Sequence, residues 1–578
     1  MPASDAPLAE SPLARIRTLC AAIYGDSRAE EAFTRLCQVV ASYPPIRPRF
    51  GDDLTERDAL LIAYGDQVRA PHEPPLRTLA DFCARYLAGV VSAIHLLPFH
   101  PYTSDDGFAV ADYRAVNPDW GSWDDIAQLG ARFRLMFDAV VNHVSSQHPW
   151  FQAYLRGEPP YLDYFITVEG EPDLSQVVRP RALPLLTRFD TALGQRKVWT
   201  TFSADQIDLN YANPAVLAEM VDLLLFYAQR GADFIRLDAV AYLWKAIGTP
   251  CIHLTNTHRV VQIFRAALDA IAPHVRLITE TNVPHAENVA YFGDGYNEAQ
   301  LVYNFALPPL VLHALQTGDA RMLSQWASSL ALPSRRVTFL NFLASHDGIG
   351  LNPVRGILSE REIAGLVART RALGGLVSEK FNSDGSRSPY ELNVNYFDAL
   401  CFAPADEATC IERFLAAHAI MCALVGVPAI YFHSLFGSRS WPEGVRRLGY
   451  NRAINREKLS REMLERELAD KGTRRARVFS RLAHLLRARA TCPALHPFGD
   501  QRVLDAGPAI FALLRSAPDD RSRLLCLVNV SAQPQLVHLP WRALLGTNMR
   551  DLISGARLSV HGPSLELAPY QARWLVNA

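Results

Sequence analysis

Phe234-Ile-Arg-Leu-Asp-Ala-Val240 decides the reading of this chain. It is an apolar, β-rich run that delivers two charges, Arg236 and Asp238, at its end. Strand residues two apart share a face, so both side chains point the same way. Charges at the exit of a buried strand are costly unless paired or used. A plain Arg–Asp salt bridge would satisfy them, and so would a catalytic site. Three further strand-like runs end in the same fashion: Leu135-Met-Phe-Asp138-Ala-Val-Val-Asn-His143, Arg276-Leu-Ile-Thr-Glu280 and Phe342-Leu-Ala-Ser-His346-Asp347. Apolar strands that each carry carboxylates or histidine at their C-terminal ends are what a barrel of parallel strands needs to build one active site at its top face.

Outward from these four runs, strand signals fall at 59–65, 90–98, 135–142, 233–238, 275–280, 300–305, 337–343 and 427–432. Helical spacing falls between them at 76–87, 124–133, 215–230, 256–271 and 409–425, and long helical segments fill 456–490. Eight strands alternating with helices predict an α/β fold, a (β/α)8 TIM barrel over residues 51–491. Residues 144–205 and 348–398 break the alternation and are too long for ordinary loops, so they read as two inserts, the second following strand 7 and holding one helix. Leu13, Ile16, Leu19 and Ile23 give residues 1–50 a helical extension, frayed over 1 to about 10 and broken at Tyr43-Pro-Pro-Ile-Arg-Pro48. Short strand-like runs at 509–515, 523–530 and 573–576, separated by Pro, Asp and Gly, predict a C-terminal all-β domain over 492–578.

Of the 578 residues, 49% are apolar and 20% charged, which supports a large core and argues against global disorder. A net charge of −1 gives no reason to expect nucleic acid or an anionic membrane as partner. The nine cysteines are scattered without a C-x-x-C pair and read as free core thiols in a reducing compartment. The start lacks a basic segment followed by an apolar block, and no run reaches the roughly 18 apolar residues of a membrane span. These features predict a cytoplasmic location.

Glycosyl transfer needs two carboxyl groups, one to attack or stabilise the anomeric carbon and one to protonate the leaving oxygen. Asp238, Glu280 and Asp347 supply three candidates on three strand ends. His143 and His346 suit sugar hydroxyls, and Arg236 can hold a nucleophilic carboxylate ionised. A metal site is the rival use of such residues, but no two-His-one-carboxylate spacing appears, so neither a metal nor another cofactor is expected.

The segments Asp138–His143, Phe234–Val240, Ile278-Thr-Glu280 and Ser345-His346-Asp347 resemble, in order, the four motifs of the α-amylase family, glycoside hydrolase family 13. The resemblance implies Asp238 as nucleophile, Glu280 as general acid/base and Asp347 as the fixed carboxylate, with His143, Arg236 and His346 gripping a glucose. Leu96–Phe108, Trp199–Asn210, Asp238-Ala-Val-Ala-Tyr242 and Asn451-Arg452-Ala-Ile-Asn-Arg456 resemble the sucrose phosphorylase subfamily. That finer match implies that Asp105 and Arg452 close a pocket for one glucosyl unit, that Phe108 and Phe202 form its aromatic wall beside Tyr242, and that Arg181 serves phosphate and acceptor. It implies a small glucoside and inorganic phosphate as partners, no required calcium even though Asn142 is a conceivable ligand, and leaves a homodimer open.

One stretch departs from the subfamily. Ser388-Pro-Tyr390-Glu391-Leu-Asn393 stands where sucrose phosphorylases carry an Asp-Leu-Tyr-Gln type of segment on the fructose side. Ser388 and Glu391 replace the Asp and Gln, and the wording is more similar to the glucosylglycerate phosphorylases of the same subfamily. Arg387, Tyr390 and Glu391 are therefore the candidates for the acceptor side, with Arg387 offered to a glycerate carboxylate. The implied activity is a retaining phosphorolysis giving α-glucose 1-phosphate, from 2-O-α-glucosyl-D-glycerate or from sucrose. A hydrolase or transglucosidase, and a non-catalytic sugar-binding homologue, are the competing readings.

Overall fold

The computed structural model describes residues 10–181, 183–382, 385–559 and 564–577. The predicted fraying at the start lies outside the described residues up to position 9. Eight parallel strands close a barrel: β1 (Leu60–Ala63), β2 (Ala93–Leu96), β3 (Arg134–Val140), β4 (Ala232–Asp238), β5 (Arg276–Thr279), β6 (Leu301–Tyr303), β7 (Thr338–Asn341) and β8 (Val427–Tyr431). Each strand pairs with its neighbours in sequence, and β8 returns to β1. All eight predicted strands are present, each within a few residues of its expected position. Apart from the half-buried Arg134 and Arg276 at two strand starts, their residues are buried on both faces, the pattern of a sheet covered by helices outside and filled by side chains inside.

Helix α1 (Pro12–Ala41) runs across two barrel helices, α2 (Pro214–Gln229) and α3 (Thr255–Ile271). Ser11 caps it and Gly25 bends it, with φ at +66°, a left-handed conformation cheap only for glycine. Arg15 pairs with Asp269 at 2.5 Å, and the Tyr43 hydroxyl donates to Asp222 at 2.7 Å.

Between β3 and β4 the chain builds a three-stranded sheet (Thr167–Val168, Gly194–Trp199, Leu186–Thr191) with a small apolar centre around Val168, Val177, Leu185 and Trp199. After β7 a second three-stranded sheet (Ile349–Gly350, Arg387–Asn393, Leu376–Phe381) carries one helix, Glu360–Ala372, opened by a Ser359/Glu362 capping box. The C-terminal domain is all-β, with a six-stranded antiparallel sheet and a two-stranded one. Arg489 and Arg515, both fully buried, join it to the barrel. Arg489 donates to the carbonyls of Cys422, Asp58, Gly426 and Leu495, and Arg515 to Ala423 at 2.6 Å. Buried guanidinium groups are tolerated here because backbone oxygens saturate their donors.

The cysteine expectation needs correction. Cys401 and Cys410 form a disulfide, and the other seven are free, all buried except the half-buried Cys37. The two lie nine positions apart, and the turn into helix Glu407–Ala423 brings their Cα atoms within 4.8 Å. Spacing alone did not suggest this pairing. No described helix is long and apolar enough to cross a membrane.

Candidate active site

β4 ends at the top of the barrel, where Arg236 Nη1 lies 2.8 Å from Asp238 Oδ1. The same guanidinium pairs with Asp138 on β3, and Asp138 also takes the His95 ring nitrogen of β2 at 2.6 Å. Burial pushes the Asp138 carboxyl up, but Arg236 and His95 outweigh it and bring the group down to about 2. Directly after β4, Ala239 adopts a left-handed conformation, φ +51°, costly for any residue but glycine. That turn aims its N–H at Glu280 Oε2, 3.1 Å away at the end of β5.

Asp347 arrives on the loop after β7. Arg452 Nη1 lies 2.5 Å and Arg456 Nη2 3.8 Å from its Oδ1. Against the upward push of burial, these guanidinium groups and His346 hold the Asp347 carboxyl well below the usual carboxylate range. Burial dominates at the other two carboxyls: Glu280 is raised, and Asp238 is raised further by Glu280, Asp138 and Asp347. Asp238 has the direct guanidinium contact, which favours its charged form against that push, while Glu280 accepts the backbone N–H of Ala239.

Asp238, Glu280 and Asp347 face one narrow, polar cavity of about 60 Å3. Phe108 and Phe202 wall it, and His143, Arg236, His346, Asp105 and Arg452 complete it. Phe108 stacks on His346 with ring centroids 4.8 Å apart. Burial keeps His143 and His346 below the usual histidine range, hence neutral and able to hydrogen-bond sugar hydroxyls. Asp105 sits in a strained run: Asp105, Asp106 and Gly107 have φ of +52°, +48° and +114°. Gly107 is required there, because a Cβ would meet the Pro98 carbonyl at 2.7 Å.

Arg181, Tyr390 and Asn282 border the cavity on one side, with Asn282 Nδ2 donating to the Tyr390 hydroxyl at 3.3 Å. Arg181 Nη2 lies 4.0 Å from Asp105. Five lining residues, Asp105, Arg181, Phe202, Gln206 and Arg452, are shared with a wider cavity of about 500 Å3.

Three predicted residues lie elsewhere. Tyr242 stands behind the wall, its ring edge-on to Phe202 at 5.4 Å. Arg387 is exposed, with its guanidinium over the Phe381 ring at 5.0 Å and away from the cavity. Glu391 is fully buried and does not line the cavity, because on a strand it must face opposite to Tyr390. Its carboxylate takes Arg452 Nε at 3.1 Å and Nη2 at 2.9 Å.

Sequence reading missed three contributors. Arg456, buried, donates Nε to the His346 carbonyl at 2.8 Å and Nη1 to Asp106 at 2.6 Å, tying the Asp105 loop to the Asp347 loop. Its place four residues after Arg452 was the available signal. Gln206 lines the cavity from within the Trp199–Asn210 stretch without having been singled out, and Asn282 lines it and carried no signal. Asn142, the conceivable calcium ligand, accepts from the Lys245 ammonium at 2.7 Å, and that ammonium also lies 2.5 Å from the buried Asp208. The cluster thus holds a cation of its own. Among the described residues, no group of three or more His, Cys, Asp or Glu side chains is disposed to hold a metal.

The family model described as alpha amylase, catalytic domain, matches residues 85–348, and that described as maltogenic amylase, C-terminal domain, matches residues 501–574. The chain is 49% identical over 557 residues to a glucosylglycerate phosphorylase of Allomeiothermus silvanus, covering 96% of this chain and 97% of that one. It is 47% identical over 580 residues to a glucosylglycerate phosphorylase of Spirochaeta thermophila, covering 98% of each. Among solved structures, sucrose 6F-phosphate phosphorylase from Thermoanaerobacter thermosaccharolyticum superposes with a TM-score of 0.73 at 23% identity, over 90% of this chain and all of that one. That last likeness is one of fold.

Proposed function

Because the chain belongs to the α-amylase family, glycoside hydrolase family 13, we infer that its cavity transfers one α-glucosyl unit from 2-O-α-glucosyl-D-glycerate to inorganic phosphate, giving α-D-glucose 1-phosphate with retention. The observation that carries this reading is the convergence of Asp238, Glu280 and Asp347 on one narrow cavity closed by Asp105 and Arg452. Relatives at 47–49% identity over nearly the whole chain bear the name of that activity.

In the first step Asp238 attacks the anomeric carbon while Glu280 gives its proton to the leaving glycerate oxygen, leaving a glucosyl ester on Asp238. In the second, a phosphate oxygen attacks the same carbon, its proton passes to the Glu280 carboxylate, and Asp238 leaves. Arg236 favours the ionised nucleophile. Asp347, His143, His346, Asp105 and Arg452 take the sugar hydroxyls. Phe108 and Phe202 wall the cavity where positive charge develops, and an aromatic face turned to that charge is worth about 0.5–2 kcal/mol. Glycerate and phosphate are both anions and occupy the acceptor side in turn, so Arg181 at the junction of the two cavities serves both. Phosphate as co-substrate and a charged sugar phosphate as product support a cytoplasmic location for the reaction.

An acceptor screen with α-glucose 1-phosphate tests the substrate. D-glycerate is expected to release phosphate fastest, ahead of fructose, fructose 6-phosphate and glycerol. Preference for fructose would make sucrose the donor, and glucose formation regardless of acceptor would make the enzyme a hydrolase.

A further inference from the structure

The second insert touches the glucose pocket through one side chain that never reaches the cavity. Glu391, on the strand Arg387–Asn393, grips Arg452 with both carboxylate oxygens, at 3.1 Å from Nε and 2.9 Å from Nη2. The remaining Nη1 of Arg452 lies 2.5 Å from Asp347 Oδ1. One guanidinium is thus shared between two carboxylates, and two-pronged pairing fixes its plane. Glu391 is fully buried and the Arg452 side chain is 15% exposed, so water competes little for these contacts. The approach is close by construction. A Cβ on Gly348, the residue after Asp347, would stand 2.5 Å from Glu391 Cγ and 2.6 Å from the Leu392 carbonyl.

We propose that Glu391 is a positioning residue for glucosyl transfer: by holding Arg452 in one plane it sets the hydrogen-bonding direction of Arg452 and Asp347 toward the sugar, and it does not contact the acceptor. The proposal rests on the assignment of the narrow cavity to a glucosyl unit. Glu391 therefore acts on the glucosyl half of every reaction at this site, whichever molecule arrives next. Tyr390, one residue earlier and facing the cavity, belongs to the acceptor half.

Fluoride release from α-D-glucosyl fluoride reads the first step alone, without phosphate or glycerate. Glu391→Gln is expected to lower kcat/KM for fluoride release by about 10- to 100-fold, the effect of a charge-assisted hydrogen bond, with the KM for D-glycerate in synthesis unchanged. If Glu391 acts through Arg452, Glu391→Gln/Arg452→Gln loses no more than Arg452→Gln alone. The double variant removes Glu391 and its partner's charge together and leaves Asp347 as it is in Arg452→Gln alone, so the comparison keeps the test valid if Glu391→Gln folds poorly. Unchanged fluoride release with a raised KM for D-glycerate, or losses that multiply in the double variant, would overturn the proposal. Failure of the phosphorylase reading would show separately, as wild-type fluoride release without formation of glucose 1-phosphate.

Discussion

Arg236 and Asp238, two residues apart on β4, share an ion pair of 2.8 Å that is also anchored on β3, because the same guanidinium holds Asp138. Asp238 is thereby placed by the barrel wall itself and not by a loop. A lysine at position 236 is a point charge and cannot span both carboxylates. Arg236→Lys is expected to reduce kcat/KM for fluoride release from α-D-glucosyl fluoride by about 100-fold or more and to lower the melting temperature, since one buried carboxylate loses its partner. Wild-type rates in that variant would remove Arg236 from the nucleophile's support.

The pH dependence follows from two carboxyls raised by burial. In the proposed mechanism, formation of the glucosyl-enzyme from a glucoside needs Asp238 ionised and Glu280 protonated. Its rate rises as pH climbs through the Asp238 group and falls through the Glu280 group, with both limbs above the ordinary carboxylate range of about 4. Fluoride needs no proton to leave. With α-D-glucosyl fluoride, Glu280→Gln is expected to keep the acid limb and show no alkaline one. An alkaline limb that persists in that variant would assign the proton to another group.

Stability should move oppositely at two carboxylates. Glu280 has a raised folded pKa, so its contribution favours folding below its unfolded value of about 4.3 and is lost as pH rises. Glu280→Gln is expected to raise the melting temperature at pH 7 by about 2–4 °C and to match wild type near pH 4. Asp138 is depressed to about 2, so its contribution is present above about 3.9 and is lost as pH falls toward 2. Asp138→Asn is expected to destabilise at pH 7, with the gap narrowing in acid. Thermal melts across pH 2–8 read both signs.

Lys245 is expected to be structural. Its ammonium neutralises Asp208 where both are almost wholly buried. Lys245→Met strands that carboxylate and should cost about 3–5 kcal/mol in urea unfolding. A chelator should leave wild-type activity unchanged, and loss of activity restored by calcium would contradict this.

The acceptor side separates two arginines. Arg181→Ala is expected to raise the KM for phosphate by about 10-fold or more, as for a lost charged contact. Arg387→Ala, whose guanidinium lies exposed over Phe381, should stay within about twofold, as exposed groups do. Equal effects would return Arg387 to the site.

The eight strands and the three cavity carboxylates were legible because apolar runs ending in charges leave a local signature, as at Phe234–Asp238. Glu391 was misplaced for a definite reason: adjacent strand residues face opposite ways, and its partner Arg452 lies 61 residues on. Arg456 joins loops from β2 and β7, Lys245 reaches back to Asp208, and Cys401 meets Cys410 across a turn. Each of these depends on tertiary approach, which local pattern does not encode.

Proton and phosphorus NMR of the chain incubated with 2-O-α-glucosyl-D-glycerate and inorganic phosphate tests the central claim most directly. Transfer through Asp238 in a closed glucosyl pocket predicts α-glucose 1-phosphate and free D-glycerate as the initial products, both abolished in Asp238→Asn. Appearance of β-glucose 1-phosphate, or of glucose at a rate independent of phosphate, would contradict it.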